Sequence, residues 1–468
     1  MSKACATTGR MYMGREWFAQ HPHREYIASH PEHCIPIRFH GDDARNSHRA
    51  MTFLASMSGC CCRLQTDESR HPLLCLPLSL SLGVYTLDQM FQSLAWSLRL
   101  FFPADGDPAM PCADHTGMPF HRRPQRAQQA TGNICGPYRF VLTQFSGDWK
   151  WLKEILRLKH SYNNDEFCVR CCATKSPGPM CGWADDGWCF QVHRSNINFL
   201  QNLSDYGSSL LDIPGFHVGM ITLDLMHIAL LGTMQWLVGG VLFELCRENA
   251  WPCAGRGGWR DRMNAQLALA YTEFRDWLLA NNLYASHPEF TVNQLSLANL
   301  QDWVCMKCKA HNCLMICTWL ADKLCNPAPA GRRDRIRAGA LWGFASTFAL
   351  LKTCGQWLTD GEAAKLEERR AAAINCYNAL SCHAAEHVPP LARFPMKPKH
   401  HLFNHSLRDA MQERENPCWM WCMADEDFIG RVLRISKKCT SPVTLGARVL
   451  TRWVIKLVAG MRLDRAGI

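Results

Sequence analysis

What the chain lacks narrows it before any motif is read. The opening residues, MSKACATTGRMYMG, contain no apolar core of the length an export signal needs, so the protein is expected not to be secreted. No segment repeats at a fixed period and no stretch is of low complexity, which argues against solenoids, propellers and tandem arrays. Acidic residues are fewer than basic ones, 41 against 51, leaving a formal charge of +10. That excess suits a phosphate-rich partner, because each phosphate neutralised by Lys or Arg releases counterions. Cysteine, by contrast, is plentiful. The 26 cysteines are scattered through apolar segments, as at Cys60-Cys61-Cys62, Cys246, Cys305, Cys308, Cys313 and Cys317. Thiols so placed fit a reduced, nuclear or cytosolic compartment, since disulfide scaffolds are normally short and loop-rich. A long apolar run, Leu225 to Phe243, is bracketed by Asp224 and Glu244 and interrupted by glycines. It is expected to be a buried core helix, with a membrane span as the alternative.

Residues 1–34 read as an irregular lead-in. From Cys34 to His40 an extended alternation appears and ends at Gly41-Asp42-Asp43, which places Asp42 at a strand's end. Met51 to Ser58 and Leu73 to Val84 are two further strand-like runs. Thr86 to Phe102 changes to helical period, with Leu87, Met90, Phe91, Leu94, Ala95 and Leu98 on one stripe. After the Pro-, Gly- and Arg-rich segment Asp105 to Thr131, a strand beginning at Tyr138 stops at Gly147-Asp148. Three strands, a helix, a fourth strand and then helices are the opening order of the ribonuclease-H-like fold. In that fold Asp42 and Asp148 converge. Helical periodicity then covers Leu223–Leu245, Met263–Leu283, Leu295–Leu324, Arg335–Leu358 and Gly361–His387. The expected architecture is therefore α/β: a ribonuclease-H-like mixed sheet begun over 35–160, a Cys/His zinc knuckle over 161–209, a large all-α insertion over 210–395, and a closing catalytic segment with a basic helix over 396–468.

Two carboxylates at strand ends suit Mg²⁺ or Mn²⁺, which prefer oxygen ligands in octahedral geometry. Cys168-x-x-Cys171 has the spacing of half a Zn²⁺ site, with His193 and one of Cys181 or Cys189 available to complete it and Cys172 able to shift the register. Asp224 and His227 stand at i and i+3, so they share a helix face and could bond to each other or hold a metal together. Lys397, Lys399, His400 and His401 form a basic cluster suited to DNA phosphates.

These features together resemble the DDE transposases of the CACTA (En/Spm-type) superfamily, at motif level over most of residues 35–430. The elements are the strand ending in Gly41-Asp42, the strand ending in Asp148, the Cys168-x-x-Cys171 pair, His193-Arg194, Leu223-Asp-Leu-Met-His227 and Lys399-His-His-Leu-Phe-Asn-His405. The resemblance implies metal-dependent cleavage and transfer of DNA strands. Asp42 and Asp148 would be the first two catalytic acids and Glu426, in Asp425-Glu426-Asp427, the third, with Glu244 as substitute. It also implies a nuclear protein whose partners are transposon ends, target DNA and copies of itself, and not a membrane. A diverged or truncated copy that keeps the fold as a non-catalytic DNA- or protein-binding module is the alternative.

Overall fold

The computed structural model describes residues 12–45, 51–60, 66–100, 113–119, 137–178, 180–183, 188–192, 194–201, 203, 207–253, 257–326, 331–439 and 441–466. Its strands are β1 (Cys34–Arg45), β2 (Met51–Gly59), β3 (Arg70–Pro77) and β4 (Arg139–Ser146). Its longer helices are α1 (Val84–Leu100), α2 (Trp149–Leu156), α3 (Met234–Arg247), α4 (Trp259–Ala280), α5 (Ala310–Cys325), α6 (Arg332–Thr353), α7 (Asp360–Glu386), α8 (Pro398–Glu413), α9 (Met423–Ser436) and α10 (Pro442–Ala466). The fold is mixed α/β, a four-stranded sheet accompanied by a large helical part. The chain divides into two compact units: residues 1–161, 194–222 and 422–468 form the first, and residues 162–193 and 223–421 the second.

In the first unit the strand order is β3-β2-β1-β4. β2 runs antiparallel to both β1 and β3, while β4 lies parallel to β1, with His40 opposite Ser146 at the last pair. Alternation along the strands sends Phe39 and Phe53 to one face, against Phe145, Phe91 of α1 and Trp151 of α2, with ring centroids about 6 Å apart. Leu54 and Cys75 point to the other face, where Phe428, Ile429 and Val432 of α9 and Val449 and Trp453 of α10 cover them. Burial on both faces explains why the middle of β1 reads as a continuous apolar run. Each fully buried ring contributes roughly 1.5–3 kcal/mol.

β1 does not stop at Gly41. It continues to Arg45 in the hairpin with β2, where Asp42 pairs with Leu54, so Asp42 ends the parallel pairing but not the strand. Gly41 is required there: a Cβ would lie 2.1 Å from the Trp151 ring and 2.4 Å from the Leu54 carbonyl oxygen. β3 is shifted from the expected Leu73–Val84. Pro77 ends the ladder, a 3-10 turn follows over Leu78–Leu80, and Gly83, at φ 64°, turns the chain into α1. Two short helices, Glu16–Ala19 and Arg24–Ser29, lie within the amino-terminal stretch expected to be irregular. Most of Asp105–Thr131 lies outside the described residues.

The second unit is helical. The run 223–245 is not one α-helix: Met226–Thr233 is a π-helical turn whose Leu231 and Gly232 depart from helical backbone, and α3 follows. The Lys399 ammonium donates to the Leu231 carbonyl at 2.9 Å, satisfying an acceptor at that distortion. The stretch Met226–Arg247 is long and apolar enough to cross a membrane, and 83% of its apolar window is buried inside the protein. Leu295–Leu324 is helical only from Ala310 onward. Before that, side chains compete for the backbone: Asp302 accepts from the amides of Ala298 and Asn299 at 2.7 and 2.6 Å, and Ser296 takes φ 65°.

Candidate metal centre

Cys168 and Cys171 sit on a tight turn framed by small bridges, Glu166 to Thr174 and Thr174 to Cys181. The Arg170 amide donates to the Cys168 sulfur at 3.4 Å, which favours a thiolate there. The opposing wall is α8, opened by Pro398 in its first turn. Its residues His401, His405 and Asp409 recur every four positions and so share one face.

Together these elements make a buried group of metal ligands. One ligand atom from each of Cys168, Cys171 and His405 lies within 4.8 Å of the other two, and all three residues are buried. His401 joins them: its Nε2 is 3.3 Å from the Cys171 sulfur. Its Nδ1 stands 3.0 Å from the Gly182 carbonyl, which can only accept, so Nδ1 carries the proton and Nε2 a lone pair. His405 Nδ1 contacts Asp409 at 3.0 Å, and Arg170 holds the same carboxylate at 3.0 Å. A carboxylate behind an imidazole orients it and frees Nε2 for a ligand. Phe190 stacks on His401 at 4.7 Å and Phe167 meets it edge-on, keeping the pocket apolar.

The electrostatics match a ligand set. Burial opposes ionisation of Cys168, yet hydrogen bonds from Cys171 and His401 and the charge of His405 hold its thiol well below the usual range. Cys171 is pushed up by its hydrogen bonds to Cys168 and Cys189 and by burial, so it keeps its proton. Burial lowers His405, but Asp409 and the Cys168 thiolate outweigh it and raise the imidazole to about 9. Asp409 is itself depressed, the charges of His405 and Arg170 outweighing burial. Two thiols and two imidazoles at C-x2-C and H-x3-H spacing are a donor set compatible with zinc, and Cys189, coupled to Cys171, is a further thiol beside it.

Of the residues expected from the sequence, Cys168 and Cys171 are in this group, and His193 lies outside the described residues. His405 and Asp409 were not among the expected ligands. The signal for both imidazoles was present, since His401-x3-His405 is metal-ligand spacing on a helix. His400 and His401 were expected to meet DNA, and the structure corrects this: both are buried, His400 against Asn378 and Tyr377 and His401 at the thiols. Lys399 is held by Leu231, while Lys397 is exposed and lies over the Trp236 ring.

Asp224 and His227 bond to each other through Oδ2 and Nδ1, and Asp224 also accepts from the amides of Met226 and His227. Asp42 accepts from the Asp43 amide at 2.7 Å. Asp148 caps α2, accepting from the Trp151 amide at 2.6 Å. Glu426 stands in the first turn of α9, where its neighbour Asp425 is buried against Arg38 and Arg70. Arg38 precedes Asp42 by four residues, about 13 Å of strand. Among the described residues the carboxylates Asp42, Asp148 and Glu426 are not gathered into a metal-sized group as the thiols and His405 are. Glu244 is committed elsewhere, buried among Arg333, Arg337 and Arg393. No known family model matches the chain, and no curated protein matches it significantly.

Proposed function

We propose that this chain is a transposase-like protein that cleaves and joins DNA strands, built on a ribonuclease-H-like sheet. The observation that carries the reading is the register of the parallel pair. Asp42 and Asp148 each stand two residues past the last matched residues, His40 and Ser146, at the same end of adjacent strands. The order β3-β2-β1-β4, with only β2 reversed between β1 and β3, supports the fold assignment. Two carboxylates there are the donor type that Mg²⁺ or Mn²⁺ takes. Such ions, when bound, supply a lowered pKa for an attacking water or 3′-hydroxyl and charge for the leaving oxygen. The protein's own part is to hold both carboxylates rigidly: the ladder with β2 fixes Asp42, and the cap on α2 fixes Asp148. Glu426 is the assigned third acid.

The Cys168, Cys171, His401 and His405 set is read as a zinc site that ties the knuckle to α8. A nuclear location, DNA ends and target as partners, and self-association belong to the same proposal.

Supercoiled plasmid with Mg²⁺ tests it. Asp148→Asn retains an N-cap, because Asn caps as well as Asp, but removes the charge. Nicking by the wild type and its loss in the variant, with DNA binding intact, is the expected result; equal nicking by both removes Asp148 from the chemistry. The second reading, a non-catalytic DNA- or protein-binding module, is favoured by the ungathered acids. It is the one left if the wild type binds DNA and zinc but never nicks.

A further inference from the structure

We propose that Cys308, Cys313 and His287, with Cys305 beside them, form a second soft-metal site in the helical unit, suited to zinc. Cys305-x2-Cys308-x4-Cys313 brings three thiols into the irregular segment before α5 and that helix's first turn. The Cys308 sulfur interacts directly with Cys313 and with His287, and its charge is felt at Cys305. The backbone around it is pinned. Gln235 donates to the Cys308 carbonyl at 2.9 Å, Ser296 to the Cys305 carbonyl at 2.8 Å, and the Cys313 amide to Lys309 at 2.9 Å.

The imidazole is the second, independent observation. His287 is 4% exposed. Its Nδ1 lies 2.6 Å from the Pro288 carbonyl, which must accept, so Nε2 carries the lone pair. That Nε2 is buried and makes no hydrogen bond of ordinary geometry. An imidazole whose distal N–H is held by a backbone carbonyl and whose other nitrogen faces a thiol is the arrangement found behind metal-ligating histidines. The thiol chemistry agrees. The hydrogen bond from Cys313, aided by His287, brings Cys308 down to about 6 against the effect of burial. A thiolate is thus available at neutral pH, and thiolates and neutral imidazoles select soft divalent ions. Cys308 is partly exposed, which gives an ion access. These atoms are more spread than the 4.8 Å grouping of Cys168, Cys171 and His405, so the ion would draw His287 and Cys313 closer around Cys308.

The full chain, purified reduced with zinc present, is expected to hold two zinc ions by elemental analysis. Cys308→Ser with Cys313→Ser lowers this to one, and Cys168→Ser with Cys171→Ser also lowers it to one by emptying the other site. Because the core variant can fail to fold, the wild-type chain is also stripped and titrated with Co²⁺. Cobalt–thiolate absorption rising to two equivalents supports the second site. Saturation at one equivalent, zinc unchanged in the Cys308/Cys313 variant, or a Cys308–Cys313 disulfide in reduced, metal-free protein each overturns it. A single zinc lost only with Cys168 and Cys171 refutes the second site and leaves the first standing.

Discussion

Asp425→Asn isolates one electrostatic contact at the heart of the sheet unit. The Asp425 side chain is 1% exposed and meets Arg70 at 2.6 Å and Arg38 at 3.2 Å, with those side chains 11% and 7% exposed. Burial alone would raise its carboxyl, but Arg38, His40 and Arg70 outweigh it and hold the group down from 3.8 to about 2. At about 1.4 kcal/mol per tenfold, that difference is roughly 2–2.5 kcal/mol of folding stability. Removing the charge also strands two guanidiniums beside an apolar core, so the loss at neutral pH should reach about 3–5 kcal/mol. The sign with pH follows from the depressed value. The contribution is fully present above 3.8 and is lost as pH falls through that value toward about 2. Urea unfolding followed by tryptophan fluorescence, repeated from pH 7 down to pH 2, measures both effects. The wild type should be the more stable at neutral pH, with the gap to Asp425→Asn narrowing below about pH 4. Equal midpoints at pH 7, or a gap unchanged by acid, would refute the reasoning.

Three further outcomes are expected. Cys171→Ser removes a thiol from the buried Cys168–Cys171–His405 group, so bound zinc should fall and protease sensitivity of residues 162–183 should rise; unchanged metal content excludes Cys171 as a ligand. Gly41→Ala places a methyl against Trp151 and the Leu54 carbonyl, costing about 1–3 kcal/mol by overpacking and, on the proposed reading, lowering Mg²⁺-dependent nicking through displacement of Asp42. A variant with wild-type melting temperature contradicts the packing argument. Glu244→Gln leaves Arg333, Arg337 and Arg393 without their shared buried carboxylate and should cost about 3–5 kcal/mol, read as a fall in thermal midpoint. No shift would mean that the guanidiniums find water or other acids.

Much of the sheet was legible because period two is a local property. The alternation at Met51–Ser58 and from Tyr138 marked β2 and β4, and the Leu87, Phe91, Ala95 and Leu98 stripe marked α1. Boundaries were less so, since they depend on which partner supplies hydrogen bonds. β1 runs past Gly41 because β2 is there to pair with it. The helix expected from Leu295 begins only at Ala310, because Asp302 and Ser296 bind the backbone locally. Cys168-x-x-Cys171 was readable as half a site from spacing alone.

By itself the amino-acid order determined residue chemistry and short-range geometry: a thiol pair three apart, imidazoles four apart on one helix, an acid at the start of α2. Which thiols meet which imidazoles was decided by tertiary structure, since more than two hundred residues separate Cys171 from His401 and no local period spans that distance. The same holds for Asp425, which bonds to Arg70 across 355 positions. Contacts of that range are selected by the packing of the whole unit, where burial makes a missing partner costly.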